Sequence, residues 1–228
     1  MPSIQRLSPV RVWDLPTRLF HWMLAVCFVG LLITGSIGGS AMSFHFRFGF
    51  AMLALLLFRL VWGFVGGRWT RFSSFLFSPR STLAYLRGTS PPEHLVGHNP
   101  LGALSVWALL AFLTAQVATG LVSDDEISFA GPLTHLVSNA TVSLATGYHT
   151  DIGKLILLGL VLLHLVAVVY YTRRKHKLVS AMVHGDKLLD NVAQPSRDDL
   201  PSRLLALFIF FLCAVASYAV STLQAPVF

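Results

Sequence analysis

Four of the nine histidines, His21, His45, His149 and His164, lie within or at the ends of long apolar blocks. An ionisable side chain is expensive to keep in such surroundings, and membrane segments that hold one have a use for it. His149 and His164 share a single block, YHTDIGKLILLGLVLLHLVAVVYY, and stand fifteen residues apart. On an α-helix that spacing is four turns plus about 60°, with a rise of roughly 22 Å. Both imidazoles therefore look toward one side of a bundle at two depths. Two imidazoles facing each other at one level of an apolar interior suit the two faces of an iron porphyrin. Zinc would ask for three or four ligands at each level, with carboxylate or thiolate help, and no such set is expected at either level.

The elements that must position these rings are membrane helices. Of 228 residues, 54% are apolar and only 12% charged, in blocks too long for a soluble core, so the chain reads as an all-α polytopic membrane protein. Its net charge of +7 comes from basic residues at the ends of apolar blocks. That is the pattern of membrane orientation rather than of a nucleic-acid partner. Cys27 and Cys213 both fall in apolar blocks and neither belongs to a C-x-x-C-H sequence, which excludes covalent haem attachment and a disulfide framework.

Five spans are expected, at about residues 17–35, 44–66, 100–122, 148–171 and 204–223. The first carries no small-residue cleavage pattern and reads as a retained span rather than a signal peptide. Trp13 before it is the type of ring that rests at a headgroup layer. Ser78-Pro79 and Asn99-Pro100 are helix-start pairs, predicting a short interfacial helix through Leu86 and the start of the third span. An amphipathic stretch is expected over 132–145. The domain reading is a four-helix di-haem bundle over 1–177, a cytoplasmic linker over 178–202, and a fifth helix with a periplasmic C-terminus over 203–228.

Lys and Arg residues cluster in alternate connections: Arg6, Arg11 and Arg18; then Arg68, Arg71, Arg80 and Arg87; then seven residues from Arg173 to Arg203. The other two loops have none, so the N-terminus is expected in the cytoplasm. With orientation set, His21 and His164 form an inner pair and His45 and His149 an outer pair. Each pair would hold one non-covalent b haem. Gly49 and Gly153, one turn after the outer histidines, would clear a helix flank for the macrocycle.

The segment VWDLPTRLFHW, the HFRFG that opens the second span and the paired histidines of the fourth resemble the bacterial di-haem cytochrome b561 family. Related to it are the cytochrome b subunits of nickel-iron hydrogenases and formate dehydrogenases. The resemblance covers roughly residues 10–177 and implies the same ligand pairs, His21 with His164 and His45 with His149. The fifth span departs from the four-span pattern of the simplest members.

Haem propionates and quinones need donors. Arg59, on His45's face but nearer the inner level, and Arg18 are the candidates for an inner propionate or quinone-site cation. Arg47 and Lys154 point away from their neighbouring histidines and read as anchors. His94, His98, His135, His176 and His184 fall in connections and read as mostly solvated, with His98 placed to assist proton uptake. The function expected is transmembrane electron transfer between the quinone pool and a periplasmic cytochrome or redox enzyme docking at Asp124, Asp125 and Glu126. The alternatives are a superoxide oxidase working alone, similar to some relatives; a haem-bearing anchor for a hydrogenase or dehydrogenase; and a haem-free transporter with a histidine proton relay. The location is the bacterial inner membrane.

Overall fold

The computed structural model describes residues 8–189 and 193–223; Arg6, part of the 178–202 segment and the tail after Leu223 lie outside the described residues. Among the described residues five helical stretches are long and apolar enough to cross a membrane: Leu15–Ile37, Gly39–Val65, Pro100–Gly120, Asn139–Arg173 and Leu200–Ser221. In chain order the elements are β1 (Ser8–Arg11), α1 (Leu15–Ile37), α2 (Met42–Val65), α3 (Pro79–Leu86), α4 (Pro100–Gly120), α5 (Asn139–Gly147), α6 (Lys154–Arg173), α7 (Leu178–His184), β2 (Asp186–Leu189) and α8 (Leu200–Ser221). The protein is a multi-pass helical membrane protein. Rows of leucine, valine and phenylalanine on α1, α6 and α8, such as Val26, Leu163 and Phe208, are exposed. Only a lipid solvent makes such surfaces stable.

The helix starts expected from sequence form as cap chemistry dictates. Ser78 Oγ accepts from Ser81 N at 3.2 Å at the head of α3, and Asn99 Oδ1 accepts from Gly102 N at 2.7 Å at the head of α4. The fourth span differs from expectation. It begins at Asn139, not Tyr148, and α5 and α6 are joined without a break by a π-helical turn over Tyr148–Gly153. At 1.5 Å per residue its 35 residues extend about 50 Å, longer than the roughly 30 Å hydrocarbon layer.

The chain forms two compact units. The first comprises residues up to Phe20 with Arg59–Trp107 and Leu163–Ile209, and at its heart is Asp14, fully buried. Asp14 is the N-cap of α1: its Oδ1 accepts from Thr17 N at 2.8 Å and from Trp62 Nε1 at 3.3 Å. Its Oδ2 accepts from Gly67 N at 3.0 Å and Thr70 Oγ1 at 3.1 Å. A Cβ on Gly67 would collide with this carboxylate, so the position takes glycine. Trp13, expected at a headgroup layer, is buried in protein with Val12, and its ring packs 4.7 Å from His98. The backbone at Asp14 turns the preceding ring inward, which composition alone does not reveal.

The described parts of the segment after the fourth span, expected as a linker, are folded. Strand β2 pairs antiparallel with β1, Ser8 opposite Leu189 and Arg11 opposite Asp186. Gly185, at φ 95°, ends α7, and its carbonyl accepts from both Val12 N and Trp13 N at 2.9 and 3.0 Å. Ser196 binds the same strand, its N donating to Arg11 O and its Oγ to Val12 O, both at 2.7 Å. Asp198 then gathers Leu15 N at 3.1 Å and Arg11 and Arg203 at 3.0 Å each, with Arg18 at 3.8 Å. Burial pushes the Asp198 carboxyl up, but these donors outweigh it and hold it below the usual carboxylate range.

The second unit comprises His21–Phe58, Ala108–Leu162 and the chain from Phe210. Here α8 packs on α2: Ser217 Oγ donates to Phe50 O at 2.7 Å, and Phe210 meets Phe58 edge-on with ring centres 6.0 Å apart. The fifth span thus belongs to this chain's own bundle, and α2 is the most buried of the five, 44% against 11% for the first, third and fourth. The loop after α4 is organised by Asp125, whose Oδ1 accepts from the backbone N of Ile127, Ser128 and Phe129. Those amides hold its carboxyl below the ordinary range.

Candidate haem-ligand site

His45 and His149 come together in the second unit. Their ring centres are 6.2 Å apart and their planes nearly perpendicular, at 85°. Each ring is held from behind. His45 Nδ1 lies 3.1 Å from Leu31 O, and His149 Nδ1 lies 2.8 Å from Gln116 O. A carbonyl only accepts, so each Nδ1 carries the proton and each Nε2 keeps the lone pair that a metal would take. Metal-bound histidines are oriented in this way. Two metal–nitrogen bonds of about 2 Å, with each ring centre roughly 1 Å behind its nitrogen, would span about the separation seen. Among the described residues no group of three metal-ligating side chains forms, so the donor set is a pair of neutral imidazoles, fitting an iron whose other ligands come from a macrocycle.

The carbonyls are reachable because of two glycines. In α1 and α4 alike, the accepting carbonyl is followed three residues on by threonine and four on by glycine: Leu31, Thr34, Gly35 and Gln116, Thr119, Gly120. A Cβ at Gly35 would stand 3.0 Å from His45 Cε1, and one at Gly120 would stand 2.7 Å from His149 Cε1. Any side chain there would push the ring off its carbonyl. Gly49 leaves its flank open: a Cβ there would meet nothing within 4 Å, and the residue lines the adjoining cavity. Gly153 does not: a Cβ there would strike Gln116 Oε1 and the Tyr148 ring. Its smallness serves the approach of α4, not a macrocycle.

Gln116 grips His149 twice, for its Nε2 also donates to His149 O at 2.8 Å. A π turn changes which carbonyls the helix itself satisfies, and here the neighbouring helix supplies a donor. The same turn breaks the phase reckoned at 3.6 residues per turn, so Lys154, expected to point away, lines the cavity. That cavity has a volume of about 360 Å³. Its walls include Phe28, Leu32, Phe46, Leu113 and Phe129, and Asp124, Asp125 and Lys154 are its charged lining residues. Arg47 is elsewhere, over the Phe44 ring at 5.3 Å.

Of the other expected ligands, His21 lies in the second unit with its ring edge-on to Trp22 at 5.1 Å. His164 lies in the first unit, half-buried on α6. Arg59 is buried in the first unit, donating to Thr70 O at 3.1 Å and stacked over Phe72 at 4.7 Å. Arg18 donates to Val183 O at 2.6 Å. Of the connection histidines, His135, His176 and His184 are exposed, as expected, whereas two are half-buried: His98 is packed against Trp13 and Phe75, both at 4.7 Å, and His94 against Phe77 at 4.9 Å. Aromatic residues in the neighbouring turns fold over these rings.

Comparison with known proteins identifies the family. Residues 12–185 match the family described as prokaryotic cytochrome b561. Among individual relatives, a probable Ni/Fe-hydrogenase B-type cytochrome subunit of Rhodobacter capsulatus is 24% identical over 82% of this chain and 84% of its own length. Its counterpart from Rhizobium leguminosarum bv. viciae is 27% identical over 82% of this chain and 91% of its own. A probable Ni/Fe-hydrogenase 1 B-type cytochrome subunit of Escherichia coli K12 is 25% identical over 51% of this chain and 61% of its own length.

Proposed function

This chain belongs to the prokaryotic cytochrome b561 family, which implies a b-type haem and a haem-b electron-transfer or anchor role in the membrane, and from that premise we propose that it is a di-haem conduit. His45 and His149 hold one haem, and His21 and His164 the other. The observation that carries the reading is the His45–His149 pair: rings 6.2 Å apart, each protonated on Nδ1 toward a backbone carbonyl. A bound b haem supplies one-electron chemistry at iron. The chain's part is to fix both rings in one tautomer, keep the site apolar, and so set the potential.

On this reading the N-terminus is in the cytoplasm, the C-terminus in the periplasm, and the membrane is the bacterial inner membrane, as the alternation of basic connections supports. Electrons pass between the quinone pool and a redox enzyme or periplasmic cytochrome. The names of the hydrogenase-subunit relatives support an enzyme partner of that class, with the chain as its haem-bearing membrane subunit. Asp124 and Glu126 are the docking acids. Arg59 and Arg18 are the inner donors. Superoxide oxidation is the weaker reading, because Asp124 and Asp125 accompany Lys154 around the outer cavity and do not favour an anion.

The test is a reduced-minus-oxidised spectrum with haem quantified per chain, on the unaltered protein and on His21→Ala, His45→Ala, His149→Ala and His164→Ala. Two b haems are expected, one species lost with His45 or His149 and the other with His21 or His164. A protein that purifies without haem from haem-replete cells would overturn the reading and return the histidines to a proton-path role.

A further inference from the structure

The first unit contains a second polar feature that the histidine pairs do not use. Arg59 is only 4% exposed. Nη2 of its guanidinium donates to Thr70 O at 3.1 Å, while Nη1 is buried without an acceptor. Asp14, the nearest carboxylate to act on it, already accepts four hydrogen bonds and makes no ion pair with it. A buried cation left in this state is strongly unfavourable unless something else supplies the acceptor.

A second orphan donor packs on the same two aromatic rings. Trp107 Nε1 on α4 is buried and has no acceptor. Both groups flank the same two rings: the Arg59 guanidinium lies 4.7 Å from the centre of Phe72 and 5.8 Å from that of Phe75, and the Trp107 ring lies 4.9 and 5.6 Å from the same two. His98 packs on Phe75 at 4.7 Å. The feature is thus two unpaired donors, one of them cationic, among flat aromatic walls.

We propose that Arg59 and Trp107 form a binding site for an acceptor oxygen, a carboxylate or a carbonyl, carried on a flat conjugated head. Donors alone, with no acceptor between them, select such an oxygen and reject a hydroxyl or ammonium. The aromatic faces select a planar ring. This chemistry has two sources in the present reading, on which the proposal rests: a haem carboxylate, or the carbonyl of a quinone. The site deepens the reading by naming Trp107 as a substrate or cofactor contact and by giving the Arg59 charge its partner.

The experiment uses detergent-purified full-length protein and three variants, Trp107→Phe, Arg59→Leu and Arg59→Lys. Haem per chain on the unaltered protein is read first, and its absence overturns the parent reading. With haem present, midpoint potentials and the KM for a short-chain ubiquinol analogue are measured. A quinone ligand raises KM about tenfold in Trp107→Phe and Arg59→Leu, less in Arg59→Lys, and leaves potentials in place. A haem carboxylate leaves KM in place and lowers one midpoint potential in Arg59→Leu by about 59 mV, a tenfold change in a one-electron equilibrium, with a smaller fall in Trp107→Phe. Trp107→Phe keeps the aromatic packing, so it reports on the donor even where Arg59→Leu fails to fold. Unchanged KM and potentials in Trp107→Phe and in Arg59→Leu overturn the site.

Discussion

His149 donates its Nδ1–H to the backbone carbonyl of Gln116 across 2.8 Å, and the residue that opens the way is Gly120 on the same helix. The equivalent reach of His45 to Leu31 O is 3.1 Å, past Gly35. Gly120→Ala would put a methyl group 2.7 Å from the His149 ring. Losing a support of this type weakens metal binding by roughly 10- to 100-fold. The expected outcome is loss of one of two spectral species, measured as haem per chain and as the low-spin EPR signal, with a smaller effect from Gly35→Ala, where the contact is 3.0 Å. Equal haem content in all three proteins would show that the carbonyl contacts are incidental.

Gln116→Leu keeps the backbone acceptor and removes the side-chain donor to His149 O. An unpaired buried carbonyl costs about 1–3 kcal/mol. The variant should retain haem but melt lower, with a shifted potential for one haem only. A shift of both, or of neither, would mean that the π turn is held by other contacts.

Asp14 caps α1 and accepts four bonds while fully buried. Asp14→Ala should destabilise the protein by about 2–4 kcal/mol, combining a lost cap with unpaired buried donors. Thermal melting in detergent, followed by tryptophan fluorescence, reads this directly because Trp62 is one of the donors. A melting point within a degree of the unaltered protein would contradict the capping account.

The acidic loop must be tested one residue at a time. Asp125 is spent on three backbone amides, so Asp125→Asn disturbs the loop itself. Asp124→Asn with Glu126→Gln leaves that turn in place and should slow electron transfer to a basic partner several-fold while haem content stays constant. An unchanged rate in the double variant would remove the loop from the docking surface.

Lys187 donates to Val96 O and Gly97 O at 2.8 and 2.9 Å, and burial pushes its ammonium down from 10.5 to about 8. Between those values the unfolded chain binds more protons than the folded one, so stability from this group rises with pH through that window and is flat below it. Melting curves from pH 7 to 10 should show the unaltered protein gaining on Lys187→Met as pH passes 8. Parallel curves would show that the ammonium is not buried in solution.

Much of this was legible from residue types. The five spans, the caps at Ser78 and Asn99, and the approach of His45 to His149 follow from hydropathy, cap chemistry and the placing of basic residues. The π turn was not legible, because six residues between Gly147 and Lys154 carry no propensity that separates it from an α-helix. It shifted Lys154 onto the cavity wall and made Gly153 a contact for Gln116. The Thr-Gly pairs at 34–35 and 119–120 were visible, but their role depends on rings arriving from other helices. Strand β2 and the Ser196 and Asp198 contacts were hidden for the same reason: polar segments reveal their partners only when the partners are known.

The pairing of Ser8–Arg11 with Asp186–Leu189 sets an order of assembly. A ribosome adding roughly 5–20 residues per second delivers the second strand on the order of 10 to 35 s after the first. In that interval the leading segment has no partner in the sheet, and four spans enter the membrane. Only then can Asp198, two residues before α8, reach Leu15 and Arg11. A ribosome stalled before this point would leave four inserted helices with an open strand edge, the form in which quality-control proteases would find the nascent protein.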